Sequence, residues 1–530
     1  MNQNNERVWI YDTTLRDGTQ AEGVSLSLED KLLIAERLDD LGVDYIEGGY
    51  PLSNPKDKAF FADVRKRKIS HAKIAAFGMT RRRNTKAADD AGMQALLASG
   101  APAVTIVGKS WDMHVTQVLA VSEQENLDMI GESLALFVQA GLEAIYDAEH
   151  FFDGYRANPE FAMRTLNAAV QAGAATLALC DTNGGSLPEF IYQATGEVVK
   201  RFPSLRVGVH CHNDAGLAAA NSLAAVGAGA RHVQGTMNGI GERCGNADLT
   251  TVIANLQLKC GYSCLKDDSL AKLTEASRYV YEVVNMLPRE NQPFVGASAF
   301  THKGGMHVHA VQRNTATYEH IDPAVVGNTR KILVSELAGA SNIAAKTGEK
   351  FGLAADKDLQ RKVLTAVQDM ENEGYQFELA DASFEMLVRR TIGATRYHTF
   401  WELDHYRCVI LQVNGGRPST EAIVKLRVED RTLHTVAEGD GPINALDGAL
   451  RKALKPLYKS LDKLALVDYK VRVVNPKAGT AAKVRVIIEF HDATMGYFHT
   501  VGVDTNIIHA SFRALQDAIE YKLLNEGEKA

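Results

Sequence analysis

Several features of secreted and membrane proteins are missing from the sequence. Its 530 residues contain only six cysteines, scattered as Cys180, Cys211, Cys244, Cys260, Cys264 and Cys408. This spacing forms neither a disulfide framework nor a paired CxxC zinc motif. No stretch approaches the roughly 20 apolar residues of a membrane span, and the first residues, MNQNNERVW, contain no apolar signal core. We therefore expect a cytoplasmic protein with no membrane partner.

An excess of positive charge is also missing. The formal net charge is -7, which gives no electrostatic reason to expect nucleic acid as a partner. Two short basic runs, VRKRK and TRRRN, have no aromatic residues between the charges and indicate a solvated surface or a local anion contact. The 45% apolar and 23% charged content is typical of a globular protein, and the length predicts two or three domains.

The first 260 residues alternate short β-branched runs with longer segments of helical periodicity. In one helical segment, SLEDKLLIAERLDDLG, Ser27 is positioned to cap a helix and Gly42 to end it. The alternation predicts a (β/α)8 TIM barrel. The alternative is a doubly wound open sheet, which more often carries a glycine-rich phosphate loop that this sequence lacks. The eight predicted strands are VWIYDTT, YIEGGYP, KIAAFG, AVTIVGK, EAIYDAE, TLALCDT, RVGVHCH and HVQGTMNG.

The remainder of the chain changes character twice. We predict a barrel over 1–275, helical accessory and linker subdomains over 276–400, and an α+β domain over 401–530. The last part contains an internal duplication, because TVAEGDGPINALDGALRKAL (435–454) aligns with TVGVDTNIIHASFRALQDAI (500–519). We infer two βββα repeats packed as one module. Its acidic, His and Cys residues form no catalytic cluster, so a ligand-sensing or dimerising role is favoured over a second active site.

Polar residues collect where the predicted barrel strands end. Asp17 follows the first strand, Glu149 ends the fifth, Thr182 ends the sixth, and His210 and His212 end the seventh. In a TIM barrel these strand ends share one face, and that face carries the chemistry of barrel enzymes. The pattern therefore supports the fold and a site together.

The HxH pair suggests a metal centre. His210 and His212 are two apart on a strand, so their side chains point to the same side. Two imidazoles and one carboxylate, here Asp17, suit a divalent ion such as Mg, Mn, Zn or Co with positions left open. The alternative for the pair alone is two histidines satisfied in the core or on the surface. The barrel context favours the metal.

Two residues near this centre have competing interpretations. Asn246 offers a further ligand oxygen, but it is equally suited to cap a helix. Arg16 forms either a structural ion pair with Asp17 or a forked donor for negative charge on a carbonyl oxygen.

A second HxH pair, His307 and His309, lies in a segment that looks loop-like and has no nearby carboxylate. A second metal site is less favoured than an acid or base role. Tyr318 follows eleven residues later and is either a packing residue or a group that stabilises an oxyanion.

Four motifs in order carry a family resemblance: DTTLRDGTQ, HCHNDAGLA, GERCGNADL and THKGGMHVHAV. They resemble the successive signatures of the α-isopropylmalate, homocitrate and citramalate synthase family, and the likeness covers essentially the whole chain. Within the family, DGTQAEGVS, YIEGGYPLSNPKD, DAEHFFDGY and VSELAGASNI look most like the long form of citramalate synthase. A shorter form has a tyrosine two residues before the catalytic glutamate, where this chain has Asp147.

The resemblance implies a metal-dependent Claisen condensation of acetyl-CoA with pyruvate, followed by thioester hydrolysis. By similarity the metal ligands are Asp17, His210 and His212, with Asn246 nearby. Arg16 would polarise the ketone and Thr182 would contact the pyruvate carboxylate. Glu149 would position substrates and remove the methyl proton. His307 and Tyr318 match the catalytic pair of the family's accessory region.

The resemblance also implies regulation and assembly. The duplicated module corresponds to the family's amino-acid-sensing domain, for which isoleucine is the expected effector. A homodimer is expected, in which His307 and Tyr318 act on the other subunit's barrel.

Three alternatives remain at this point. The same chemistry on another 2-oxoacid would give isopropylmalate or homocitrate. A metal-dependent lyase or carboxyl-transfer enzyme on a similar barrel would cleave carbon bonds, although such lyases usually lack the regulatory module. A non-enzymatic sensor with an inactive barrel is disfavoured because all the expected ligands are present.

Overall fold

Eight parallel strands in the first half of the chain close into a barrel. In this computed structural model the described residues are 6–266, 269–333, 351, 356–393, 397–412 and 416–527. The first strand pairs with both the second and the eighth, so the sheet has no edge. This closure confirms the predicted TIM barrel and excludes the open sheet. The strands are β1 Trp9–Asp12, β2 Tyr45–Gly49, β3 Lys73–Met79, β4 Ala103–Lys109, β5 Glu143–Glu149, β6 Thr176–Asp181, β7 Arg206–Cys211 and β8 His232–Gly235.

Helices alternate with these strands. The first, Leu28–Leu41, begins with a capping box in which Ser27 accepts from the Asp30 amide and Asp30 accepts from the Ser27 amide. It ends at Gly42, whose φ of 90° is the left-handed conformation that favours glycine. The helices of this part are α1 Leu28–Leu41, α2 Pro55–Asp63, α3 Ala91–Ser99, α4 Glu123–Gln139, α5 Phe151–Ala157, α6 Pro159–Gln171, α7 Pro188–Arg201, α8 Ala218–Gly227, α9 Leu249–Leu258 and α10 Leu273–Val283.

The chain divides into two compact units. The first comprises the residues up to Phe300 together with Ile321–Thr329, and the second comprises Thr301–His320 and the residues from Arg330 onward. The proposed three-part division at 275 and 400 stays a prediction. None of the described helices has both the length and the apolar character that crossing a bilayer requires.

The second unit contains the predicted duplication as two βββα repeats. A short parallel pair, β9 Thr301–His302 and β10 Lys331–Ile332, and the helices α11 Gly305–Arg313, α12 Lys357–Asn372 and α13 Asp381–Ile392 precede them. Each repeat is an antiparallel three-stranded sheet followed by one helix. Their elements are β11 Glu402–Leu411, β12 Ser419–Val428, β13 Arg431–Gly439 and α14 Pro442–Leu454, then β14 Leu464–Val473, β15 Val484–Asp492, β16 Gly496–Asp504 and α15 Ile507–Asn525.

The residues that recur in the duplication form the packed faces of its helices. Both repeats contribute to a single apolar core. The recurring helix positions are all buried, namely Ala445, Ala449, Leu450 and Ala453 in α14 and Ala510, Ala514, Leu515 and Ala518 in α15. The internal repeat in the sequence therefore reflects the burial of the same helix face in both repeats. The VSELAGASNI segment (334–343) lies outside the described residues.

His232 is enclosed inside the barrel against two tyrosine rings that also stack on each other. Its ring centroid lies 5.3 Å from that of Tyr11 and 5.7 Å from that of Tyr45. The side chain is fully buried, and no described residue hydrogen-bonds to either ring nitrogen. Burial, reinforced by the charge of Arg206, lowers its pKa to about 3. The folded barrel therefore requires the neutral imidazole.

Acid is expected to weaken the barrel through His232. Its folded pKa lies below the unfolded value of about 6.5, so its contribution is present above pH 6.5 and is lost as the pH falls toward 3. Between pH 7 and pH 5 the natural barrel should lose about 2 kcal/mol more than His232→Phe. Urea unfolding of the barrel at both pH values measures this difference. His405→Phe, at an exposed histidine of the second unit, is the control, and equal losses in all three proteins would contradict the expectation.

Candidate active site

A pocket opens where the barrel strands end. Its volume is about 280 Å³. Arg16, Asp17, Glu149, Thr182, His210 and His212, all predicted from the sequence, lie around it, and Asn246 contacts two of them. The full lining is Arg16, Asp17, Gln20, Phe77, Met79, Val107, Asp147, Glu149, Cys180, Thr182, His210, His212, Glu242 and Arg243.

Four potential metal donors converge at the base of the pocket. The Nε2 atom of His210 lies 3.3 Å from Asp17 Oδ2 and 3.3 Å from His212 Nε2. The Asn246 side-chain nitrogen lies 3.3 Å from the same His210 atom and 3.4 Å from Asp17 Oδ2. All four side chains are buried. Metal–ligand bonds of about 2.0–2.2 Å separate neighbouring ligand atoms by roughly 3.0–3.5 Å. The spacings from His210 Nε2 to Asp17 Oδ2 and to His212 Nε2 lie in this range, whereas the Asn246 nitrogen is a hydrogen-bond donor and not a ligand atom.

The arrangement is not that of a preformed metal centre. Among the described residues, no three His, Cys, Asp or Glu side chains stand in a metal-holding geometry. Arg16 Nη1 contacts Asp17 Oδ1, so one of the two carboxylate oxygens is engaged in an ion pair. In contrast, Asn246 Oδ1 and His212 Nδ1 are buried and have no hydrogen-bond partner among the described residues. The donor set fits a divalent cation in its chemistry, because it offers a carboxylate, two imidazoles and an amide oxygen.

The protonation states of the cluster also suit a cation. Burial opposes an ionised Asp17, but the Arg16 guanidinium and the two histidines outweigh it and hold the pKa of Asp17 below its usual value. Burial, with the neighbouring His210, lowers the pKa of His212 to about 3. At neutral pH the cluster therefore presents a carboxylate and a neutral imidazole, the forms that bind metals.

Asn246 reaches the cluster through a tightly folded loop after β8. A backbone bridge joins His212 and Asn246, and Gly245 has a φ of 90°. A side chain at Gly245 would lie 2.0 Å from the Gly239 carbonyl oxygen, so only glycine fits. The following helix is capped by Asp248, which accepts from the Thr250 amide. The alternative in which Asn246 caps this helix is therefore wrong.

Arg16 is held by residues that the sequence analysis did not select. Its Nε donates to Glu47 Oε2 at 2.7 Å, and its guanidinium carbon lies 3.9 Å from the centre of the Phe77 ring. Burial opposes the charge, but Asp17 and Glu47 together raise the pKa of Arg16 above its ordinary value. Glu47 is fully buried. The available signal was an acid inside the otherwise apolar strand YIEGG.

Glu149 and Thr182 lie on adjoining strands of the same rim. The Lys109 ammonium contacts Glu149 Oε2, and the His150 amide donates to Thr182 Oγ1 at 2.8 Å. His150 adopts a left-handed φ of 55°, a conformation uncommon outside glycine. The sequence analysis missed Lys109, which ends β4 beside Glu149 in register.

Two buried polar residues continue the cluster into the barrel. His210 Nδ1 lies 2.8 Å from Gln234 Oε1, and Gln234 Nε2 donates to Asp147 Oδ1 at 2.8 Å. Burial, together with the charge of Glu47, raises the pKa of Asp147 to about 8. No sequence motif singled out Gln234.

His307 and Tyr318 belong to the second unit. Their rings stack with centroids 4.2 Å apart. His307 and His309 lie on helix α11 rather than in a loop, which corrects that expectation. Residues two apart on a helix point about 200° apart, so this pair does not converge on one ion.

Three family models match successive parts of the chain. The HMGL-like model matches residues 7–280. The model described as homocitrate synthase post-HMGL domain-like matches 294–375, and that of the LeuA allosteric (dimerisation) domain matches 378–523.

Full-length relatives agree with these matches. The (R)-citramalate synthase of Aquifex aeolicus is 52% identical over 99% of both chains. The (R)-citramalate synthase of Geobacter sulfurreducens is 49% identical over 98% of both. The 2-isopropylmalate synthase of Methanocaldococcus jannaschii is 31% identical over 99% of this chain and 96% of its own. The chain therefore belongs to the HMGL-like family and, within it, to the group of (R)-citramalate synthases, as its motifs predicted.

Proposed function

We propose that this chain joins acetyl-CoA to pyruvate and hydrolyses the product to (R)-citramalate and CoA. The supporting observation is the convergence of Asp17, His210 and His212 beside Arg16 in a pocket at the barrel strand ends. Relatives that share about half of the sequence bear the name of this activity. The reaction uses one water molecule, which cleaves the thioester. This hydrolysis drives the condensation forward.

We assign the 2-oxoacid to the pocket beside the buried donors. Asp17, His210 and His212 would hold a divalent cation, with Asn246 as a further ligand, and Mg, Mn, Zn and Co all suit this set. When bound, such an ion acts as a Lewis acid that makes the ketone a better electrophile. Arg16 presents guanidinium donors held in place by Glu47, and these stabilise negative charge on the ketone oxygen. The Thr182 hydroxyl binds the pyruvate carboxylate.

Glu149 is our candidate base for the acetyl methyl proton. A thioester methyl is a very weak acid, so the base must be well placed and the enolate charge must be stabilised. Lys109 contacts the Glu149 carboxylate and fixes its position. The new bond joins the methyl carbon to the ketone carbon, and the ketone oxygen becomes the hydroxyl of the product. His307 shares the proton transfers, and Tyr318, stacked against it, stabilises or protonates an oxyanion.

We also propose how the chain is organised. Residues 1–275 would carry catalysis, 276–400 would carry His307 and Tyr318, and 401–530 would sense isoleucine and promote homodimerisation. The match to the LeuA allosteric (dimerisation) domain supports the last role. In the homodimer, His307 and Tyr318 would act on the partner's barrel. The free cysteines support a cytoplasmic location for this first step toward isoleucine.

Substrate choice is tested by CoA release with a panel of 2-oxoacids. We expect turnover with pyruvate and at least about tenfold lower kcat/KM with 2-oxoisovalerate, because each extra methyl group must fit a pocket wall. The assay follows free thiol with acetyl-CoA present. Preference for 2-oxoisovalerate would assign an isopropylmalate synthase, and preference for 2-oxoglutarate would assign a homocitrate synthase. No release with any acid would contradict the proposed reaction.

Asp17→Asn is expected to weaken divalent-metal binding by at least about 100-fold, because it removes the only carboxylate of the donor set. Competition with a chromophoric chelator measures this affinity directly. Asp128→Asn, at an exposed position of α4, is the matched control and should bind metal like the natural chain. Unchanged affinity in Asp17→Asn would remove Asp17 from the ligand set.

Arg16→Lys should lower kcat by about 100-fold or more while folding is retained. Lysine keeps the charge but cannot reach Glu47 and the ketone oxygen with one planar fork. Steady-state kinetics with pyruvate measure the loss. Arg164→Lys, whose ion pair with Glu123 lies on the barrel exterior, is the control. Equal kcat in both variants would indicate that Arg16 serves only in the structural ion pair with Asp17.

A further inference from the structure

Gln234 and Asp147 form a buried polar link that the proposed reaction does not use. Gln234 is fully buried, and Asp147 is 3% exposed. Gln234 is the register partner of His210 on the neighbouring strand, whereas Asp147 lies on β5, which does not pair with β8. The link therefore crosses the barrel interior from a wall of the pocket to one of the two clustered histidines.

The two hydrogen bonds of Gln234 have opposite directions. Its amide nitrogen donates to Asp147 Oδ1 at 2.8 Å, so its oxygen remains for His210 Nδ1, also at 2.8 Å. An amide oxygen only accepts, which requires His210 Nδ1 to carry the proton. A neutral imidazole has a single N–H, so His210 Nε2 keeps its lone pair. That atom is the one that lies 3.3 Å from both Asp17 Oδ2 and His212 Nε2.

The contact between Asp147 and the Gln234 amide bears on the direction of both hydrogen bonds of Gln234. An amide can turn end for end, and a glutamine beside a histidine alone has no reason to prefer either end. In the structure the amide nitrogen faces Asp147 Oδ1, which accepts from it whether the acid is ionised or carries its proton on the other oxygen. We assign to this contact the direction of both hydrogen bonds. If the amide turned, His210 would carry its proton on Nε2, and that proton would point into the donor cluster.

We propose that Asp147 and Gln234 are positioning residues that set the tautomer of His210 and thereby strengthen divalent-cation binding. The proposal rests on the proposed function, because it requires His210 to be a metal ligand. Partners of this kind orient metal-binding histidines, and their loss typically weakens metal binding by about 10- to 100-fold. Neither residue touches substrate in this role.

The test compares Mn²⁺ affinities of full-length variants, measured from the EPR signal of free Mn²⁺. Gln234→Met removes the acceptor for His210 Nδ1 and should weaken binding by about 10- to 100-fold. Asp147→Asn lets the amide take either direction and should weaken binding several-fold, by about 3 to 10 times. The double variant Gln234→Glu with Asp147→Asn exchanges acid and amide but preserves both bond directions. It should bind within about threefold of the natural chain.

The affinity of the double variant distinguishes a positioning role of the two residues from a packing role. A packing role gives the double variant the summed losses of its single changes, whereas the proposal restores affinity. The ¹⁵N shifts of His210 should report protonated Nδ1 in the natural chain and the double variant, and a mixture in Asp147→Asn. If Gln234→Met does not fold, Asp147→Asn against the double variant decides the question.

Other results would overturn the proposal. Mn²⁺ affinity in Gln234→Met within twofold of the natural chain would do so, as would a double variant weaker than Asp147→Asn. If the natural chain itself bound no Mn²⁺ while the variants were folded, the metal part of the proposed function would fail and this inference with it. Tight binding by the natural chain with no loss in the variants would refute the inference alone.

Discussion

The site depends on charges that are kept inside a barrel and balanced there. Asp17, Glu47 and Arg16 are all largely or fully removed from water, and such charges persist only when they are paired and hydrogen-bonded. Arg16 satisfies both acids at once, through Nη1 to Asp17 and Nε to Glu47. Removing one acid leaves the guanidinium partly unpaired. The geometry of the pocket is therefore coupled to the electrostatics of the barrel interior.

The closed sheet makes this balance possible. Tyr11 donates to Glu47 and Thr13 donates to the other oxygen of the same carboxylate, so residues from β1 and its following turn stabilise by hydrogen bonds an acid on β2 whose charge Arg16 balances. A second set of contacts, among His210, Gln234 and Asp147, joins β7, β8 and β5. A packed apolar interior would give more stability, but it would leave no means of orienting donors at the strand ends.

The second unit follows a different principle. Two βββα repeats share one apolar core, and alanines recur at matching positions of both helices. Small side chains at such positions allow a helix to lie close to its sheet. A duplicated unit of this kind presents two equivalent halves, which suits a module that senses a ligand or associates with a copy of itself. The match to an allosteric dimerisation domain agrees with that arrangement.

The sequence by itself determined the elements and the side chains at their ends. The alternation of strands and helices predicted the barrel, and Ser27 and Gly42 act at the two ends of α1 as local chemistry requires. Asp17, His210 and His212 could be predicted as one cluster because strand ends in a barrel share one face. The motifs also identified the family.

Only the tertiary structure decided which buried residues support that site. Glu47 was marked only by being an acid inside an apolar strand, and no sequence pattern indicated that Lys109 or Gln234 supports a site. The alternatives for Asn246 were decided by a loop that returns alongside β7, and the helical setting of His307 and His309 by packing in the second unit. Hydrogen-bond direction and charge balance arise between strands distant in sequence, and periodicity within one strand carries no information about them.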